Sequence, residues 1–304
     1  MKRLSIALLL LPGAAWAQTT LTLPLDIVNT ARPEHYSQVG TSQSTDFARF
    51  RGIPADLTEK VIRTANTMRG QAAYESFLHG KMEQATWERT KRELGSDTLQ
   101  LSPTPIRQQI NALVGTNTAG QRIVIVDANT NDDFADDQVF TYPISLPAIP
   151  RTASGFYDRR IHAVFDTLPS VAVRVEAFDG RQRLQRSVSV KPIPYNTGWT
   201  YRKPEENSFH LTLLAHEYRR ATTSLFGKPV EVVVTTVPGL TYNTTLTSIE
   251  VWERNHPGNK LISRSNFQPG YTFIVADHVV EIRDISITGD QLTLLDKGVI
   301  TPTR

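Results

Sequence analysis

The sequence predicts a mainly β protein with a small α+β N-terminal part, its antiparallel sheets closing as a sandwich or barrel. Three observations carry this. Beyond residue 150 nearly every apolar segment alternates with polar residues or runs unbroken over a short span, the two signatures of strands. Helix-period patterning is confined to the stretch between Asp56 and Leu94. The 304 residues are 39% hydrophobic and 21% charged, enough apolar surface for a core at ordinary charge density.

Residues 1–17 read as a cleaved secretory signal. Lys2 and Arg3 form the positive n-region, Leu4–Leu11 the apolar stretch, Pro12-Gly13 the break, and Ala15-Trp16-Ala17 the small-x-small cleavage pattern. The apolar stretch is far short of the roughly 20 residues that span a bilayer, and no later segment is apolar enough to do so. Cleavage leaves Gln18–Arg304, where 31 Lys and Arg face 30 Asp and Glu, and the net charge falls from +3 to +1. A near-neutral chain without a basic block is poorly suited to nucleic acid. The signal is of compact bacterial type, so the expected location is periplasmic or extracellular.

Thr19–Val28 alternates and reads as an opening strand, followed by a polar loop from Asn29 to Thr45. Asp56 with Glu59 forms a capping box, and Leu57, Val61, Ile62, Ala65, Met68, Ala72 and Phe77 follow at helical spacing. Gly80 interrupts. A second helix is expected over Met82–Leu94, with Gly95 just past its end. Ile106–Val114 alternates as a strand, although its good helix formers leave a helix open. After the Thr116–Gly120 turn, Ile123–Val126 is an unbroken apolar run typical of a buried strand, and Gln138–Tyr142 a short one.

Pro143, Pro147 and Pro150 mark the expected domain boundary, dividing an α+β part over 18–150 from an antiparallel β domain over 151–304. In the latter, Val171–Phe178 and Arg183–Val190 flank Asp179-Gly180, a strong hairpin signal. Strands are expected at Phe209–His216, Val230–Val237, Leu246–Trp252, Tyr271–Val275, Val279–Ile287 and Leu292–Leu295, with a tight turn at Thr288-Gly289-Asp290. Val280 and Ile282 are out of phase with Ile285 and Ile287, which predicts a bulge near Arg283-Asp284.

One motif carries chemistry. From Asp127 to Asp137, oxygen side chains stand at alternate positions (Asp127, Asn129, Asn131, Asp133) and are followed by Asp136 and Asp137. Calcium takes six to eight oxygen ligands at about 2.3–2.6 Å, and alternating Asp and Asn on a tight loop converge their oxygens on one point. The candidate calcium shell is Asp127, Asn129, Asn131, Asp133 and Asp137, with Asp136 as the alternative closing ligand. The loop departs from an EF-hand in carrying Asp132 where Gly is wanted and Gln138 where the bidentate Glu belongs. A solvated turn whose Asn and Asp satisfy local backbone groups is the competing reading.

Other chemistry is absent from the pattern. With no cysteine, thiolate metal sites, disulfides and a cysteine nucleophile are excluded. The seven histidines are scattered; His210 and His216, six residues apart on one expected strand, lie near 20 Å from each other, too far to share an ion. There is no G-x-S-x-G elbow, no phosphate loop and no G-x-G-x-x-G. Trp87, Trp199 and Trp252 could line a cleft, though core packing is the commoner role.

Phe50–Pro54, the helical stretch containing Gly80, Leu101-Ser102-Pro103 ahead of a strand, and Ile125–Asp137 form an ordered series. It resembles the β-rich region that precedes the thioredoxin domain in exported bacterial thioredoxin-like disulfide reductases. Tyr271–Ile287 followed by Gly289–Leu294 is similar to the end of that region. The resemblance covers most of the mature chain, and its specific part is the acidic loop. It implies an extracytoplasmic location and ion binding at Asp127, Asn129, Asn131, Asp133 and Asp137. In such proteins the thioredoxin domain with its paired cysteines would begin just after the point corresponding to Arg304, and a cysteine-free chain cannot exchange thiols alone.

The expected function is therefore an exported, non-catalytic binding or accessory module with a calcium loop, its partner an unknown protein or small ligand of the cell envelope. A secreted hydrolase with dispersed carboxylates, and a partner subunit of an envelope thioredoxin-like protein, are the alternatives.

Overall fold

The computed structural model describes residues 18–29, 37–95, 98–144, 167–194, 209–215, 217–236, 239–254 and 259–300. The expected signal segment over residues 1–17 and the Pro147–Pro150 part of the expected boundary lie outside these residues. The fold is mainly β, with antiparallel sheets and, among the described residues, two α-helices. Among the described residues, no helix is long and apolar enough to cross a membrane.

Seventeen strands are described. In chain order they are β1 (Thr19–Pro24), β2 (Asp26–Val28), β3 (Ser37–Ser44), β4 (Leu57–Asn66), β5 (Gln109–Asn117), β6 (Arg122–Val126), β7 (Val139–Tyr142), β8 (Val171–Phe178) and β9 (Arg183–Ile193). Then come β10 (Thr212–Ala215), β11 (Tyr218–Leu225), β12 (Lys228–Thr236), β13 (Thr247–Glu253), β14 (Lys260–Asn266), β15 (Thr272–Val275), β16 (His278–Ile285) and β17 (Gln291–Val299). Helices α1 (Arg69–Leu78) and α2 (Gln84–Leu94) lie between β4 and β5.

An eight-stranded sheet has the order β7-β6-β5-β4-β3-β10-β9-β8, so it joins strands from both sides of residue 150. Its inner face buries Val61, Ala65, Val114, Val124, Val173, Val188 and Leu213, among others, in one cluster. The sheet curls so that its edge strand β8 reaches the segments that flank β5 and β6. On the outer edge of β8, the Arg174 N–H donates to Ala128 C=O at 2.8 Å and the Glu176 N–H to Arg107 C=O at 2.8 Å. The remaining strands form a sandwich: β1-β17-β16-β15 packs on β14-β13-β12-β11-β2 through Val232, Val234, Ile249, Val280, Ile282 and Leu294. The opening segment serves both layers, with β1 edging the first sheet against β17 and β2 edging the second against β11.

A buried ion cluster ties the curled sheet to the sandwich. Glu217, 2% exposed, accepts from Arg186 of β9 and from Arg219 of β11. Arg219 also donates twice to the Thr288 carbonyl beyond β16 and lies over the Tyr242 ring.

The helix expected from Asp56 to Phe77 begins instead at Arg69; its first half is strand β4. The reason is burial on both faces. Val61 and Ala65 point to the inner core, while Leu57 and Ile62 point to an outer cluster with Leu113, Ile125 and Phe134. A two-sided strand scatters apolar residues at spacings that imitate a helix, and β-branched Val61, Ile62 and Thr64 favour the extended form. Helix α2 agrees with expectation, and Gly95 closes it at φ +64°. Ile106–Val114 resolves toward β5, again buried on both faces. The expected loop from Asn29 to Thr45 contains β3, whose single large apolar residue is Val39. Neither β11 nor β14 was expected, both being polar in sequence. The Asp179-Gly180 hairpin forms, with the Asp179 carboxylate accepting the Arg181 and Gln182 N–H groups at 2.8 Å each. The bulge falls where the phase slips, between Ile282 and Asp284.

Candidate metal centre

All five residues of β6 are buried, and the chain leaves its end directly into Asp127, which is 0% exposed. The Asp127 N–H is held by Asn111 C=O of the neighbouring strand. Its two carboxylate oxygens accept the N–H groups of Asn131 and Asp132, each at 3.0 Å, so this one side chain winds the turn. The alternation continues the winding: Asn129 Oδ1 accepts from Asn131 N–H at 3.1 Å, Asn131 Oδ1 from Asp133 N–H at 2.8 Å, and Asp133 Oδ1 from Ala135 N–H at 3.1 Å. Thr130 and Asp132 take left-handed backbone, φ +57° and +60°. Asp132 therefore adopts the conformation for which an EF-hand uses Gly; Asp is among the few residues that tolerate it. Asn111 Nδ2 donates to Asp132 Oδ1 and fixes it there.

The two closing carboxylates differ. Asp136 Oδ2 accepts the amide hydrogens of both Asn129 and Asn131, at 3.0 and 3.1 Å. Asp137 Oδ1 accepts the Ala128 N–H at 3.0 Å, while its Oδ2 is buried without a hydrogen-bond partner. Burial pushes the Asp137 carboxyl up to about 6, with the charges of Asp127, Asp136 and Asp133 adding to the effect and the Ala128 N–H opposing it. Burial likewise raises Asp127, against the N–H groups it accepts.

The loop is clipped to the segment ahead of β4. The Arg51 N–H donates to Asp132 C=O and the Phe134 N–H to Arg51 C=O, and the Arg49 and Arg51 side chains lie 3.8 and 3.5 Å from Asp132 and Asp133. Phe134 is buried and stacks on Phe50 with ring centroids 5.5 Å apart. Gly52 makes the clip possible: at φ +66°, a Cβ there would sit 2.2 Å from the Ala135 nitrogen. The sequence reading missed Arg49, Gly52 and Asn111. Gly52 inside Phe50–Pro54 was a usable signal for a close approach; nothing in the sequence marked Asn111 as the loop's neighbour.

The predicted residues are thus all in one short loop, but their oxygens are turned to backbone N–H groups rather than to one point. Among the described residues, no three His, Asp or Glu side chains form a metal-binding group. The donor set is wholly oxygen, which suits a hard cation, and Asp137 Oδ2 is the atom without a protein partner. Elsewhere, His79 bonds its own helix carbonyl, His210 the Thr212 hydroxyl and His278 the Asp296 carboxylate. His35, His162, His216, His256 and Trp199 lie outside the described residues. Trp87 is buried against Tyr74 and Phe77, the packing role.

No protein-family model, curated protein or solved structure matches the chain.

Proposed function

We propose that the chain is an exported, non-catalytic binding module whose acidic loop takes up calcium and thereby stiffens the seam of the curled sheet. The observation that carries this reading is the buried, unpartnered Oδ2 of Asp137 beside the fully buried Asp127. Two carboxylates held in a desolvated setting with like-charged neighbours are costly without a counter-charge. Asp127, Asn129, Asn131, Asp133 and Asp137 would hold the ion, and calcium would add positive charge beside Asp127 and Asp137, beyond what Arg51 brings to Asp133.

Ala128 gives the ion a mechanical consequence. Its N–H is held by Asp137, and its C=O receives the Arg174 N–H across the seam. Fixing Asp137 therefore fixes one of the seam hydrogen bonds. The export signal over residues 1–17 and the complete lack of cysteine fit a protein that works outside the cytoplasm without redox chemistry.

Thermal unfolding of the mature chain in calcium and in chelator tests the proposal. A ligand at about 100 times its dissociation constant adds about 2.7 kcal/mol, which for a chain of this size raises the midpoint by about 4–5 °C. Equal midpoints in the two conditions would remove the ion from the account.

A further inference from the structure

A cleft of about 280 Å³ opens where β3 changes partners. Ser37–Gly40 pairs with β10 and Thr41–Ser44 with β4, while β4 itself turns away after Asn66 into α1. Gly40 stands at the crossing, outside the left-handed region, and a Cβ built on it meets no atom within 4 Å. The missing side chain leaves a gap bordered by Ser42 and Thr64, which face each other in register, and by Asn66 and Arg69.

The polar groups on this gap are oriented but incompletely used. Asn66 Oδ1 accepts Nε2–H bonds from Gln108 and Gln109 at 3.3 and 3.2 Å, which sets the amide and leaves Nδ2 with no protein partner. The Thr64 hydroxyl donates to Asn111 Oδ1 at 2.9 Å and the Ser42 hydroxyl to Thr64 C=O at 3.3 Å, so both keep lone pairs free to accept. Arg69 is exposed, and its side chain makes no hydrogen bond or ion pair. No Asp or Glu lines the cleft, and none stands in the first turn of α1. On the opposite face of β4, Arg63 is 6% exposed; its NH1 reaches the Gln43 amide oxygen and its Nε has no partner. The charge that borders the cleft is thus the Arg69 guanidinium, and no carboxylate stands among the lining residues.

A guanidinium and a free amide N–H₂ are donors matched to a carboxylate, and hydroxyl oxygens with spare lone pairs accept from hydroxyl groups. We infer that the β3–β4 cleft binds a small hydroxylated carboxylate of the sugar-acid type, with Arg69 and Asn66 holding the carboxylate and Ser42 and Thr64 accepting from its hydroxyls. This deepens the binding-module reading by naming a site and a ligand class, and it is independent of calcium.

The test is a ¹⁵N–¹H shift titration of the mature chain with glucuronate, run in chelator and in calcium, with glucose and inorganic phosphate as comparison probes. Glucuronate saturates the shifts of the cleft residues, and glucose binds at least about tenfold more weakly, the loss expected for one charge-assisted contact. Arg69→Glu, an unpartnered surface position, and Gly40→Phe, which fills the gap, each weaken glucuronate by about tenfold or more. The unfolding midpoint of Arg69→Glu stays at the wild-type value, which keeps the test valid should Gly40→Phe fold poorly. An absent response to glucuronate, binding that survives Arg69→Glu, or glucose or phosphate binding as tightly as glucuronate overturns the assignment. Glucuronate binding in chelator without a calcium-dependent midpoint upholds the cleft and dismisses the ion; the converse dismisses the cleft alone.

Discussion

Asp137→Asn gives the acidic loop a test in which the sign of the effect depends on the medium. The amide keeps an oxygen for the Ala128 N–H and removes the charge whose Oδ2 lacks a partner. In chelator at pH 7 the wild-type carboxylate is ionised although burial and three neighbouring carboxylates hold its pKa up at about 6, against about 3.9 in the unfolded chain. That gap corresponds to about 3 kcal/mol at full strength, and because the side chain is partly exposed, solvent screening reduces it to about 1 kcal/mol. The variant is therefore more stable than wild type in chelator, by about 2 °C in midpoint. In calcium the order reverses, since the variant has lost an anionic ligand and wild type gains about 2.7 kcal/mol at 100 times its dissociation constant. Paired calorimetric scans in the two media measure both halves. A variant less stable than wild type in chelator would refute the electrostatic reasoning, and a variant with an undiminished calcium shift would refute Asp137 as a ligand.

Burial, and then the Arg63 charge, lower His210 to about 4 in the folded chain, so only the unfolded chain takes up this proton between pH 6.5 and 4. The contribution is present above pH 6.5 and lost as pH falls toward 4, about 2 kcal/mol after screening; His210→Gln flattens that part of the stability–pH curve, and an unchanged slope contradicts it. Glu217→Ala leaves Arg186 and Arg219 buried without their shared carboxylate and should cost about 3–5 kcal/mol in denaturant unfolding; a loss below about 1 kcal/mol would mean that the cluster does not hold the sheets together. Gly52→Ala forces a left-handed alanine against the Ala135 nitrogen, a destabilisation of about 2–4 kcal/mol by the same assay, and a neutral result would show that the clip over the acidic loop can move aside.

The legible parts of the fold were those in which local chemistry and tertiary context agree. Asp179-Gly180, Gly95 and the phase slip at Arg283 are each decided within a few residues, and each forms as read. β4 was misread because periodicity measures burial, and a strand covered on both faces has no period of two to display. β3 and β11 were missed for the opposite reason: one borders a polar cleft and the other carries Arg219 into an ion cluster, so neither looks apolar. The acidic loop was legible as a sequence of oxygens. Which of those oxygens remain free was not, because that depends on Asn111 of β5 and on Arg51 ahead of β4, which long-range pairing brings to the loop.

Those dependencies run through one polar path. The Thr64 hydroxyl on the cleft donates to Asn111 Oδ1, Asn111 Nδ2 donates to Asp132 Oδ1, and the Asp132 N–H is held by Asp127. Asn111 faces Thr64 directly in the β4–β5 ladder, so the amide can serve both neighbours only while the register holds. A one-residue slip would turn Asn111 into the apolar inner face and separate the cleft from the loop. The same pairing that builds the curled sheet thus sets the donors of the cleft and the winding of the acidic loop together, which is why two sites far apart in sequence share a single structural cause.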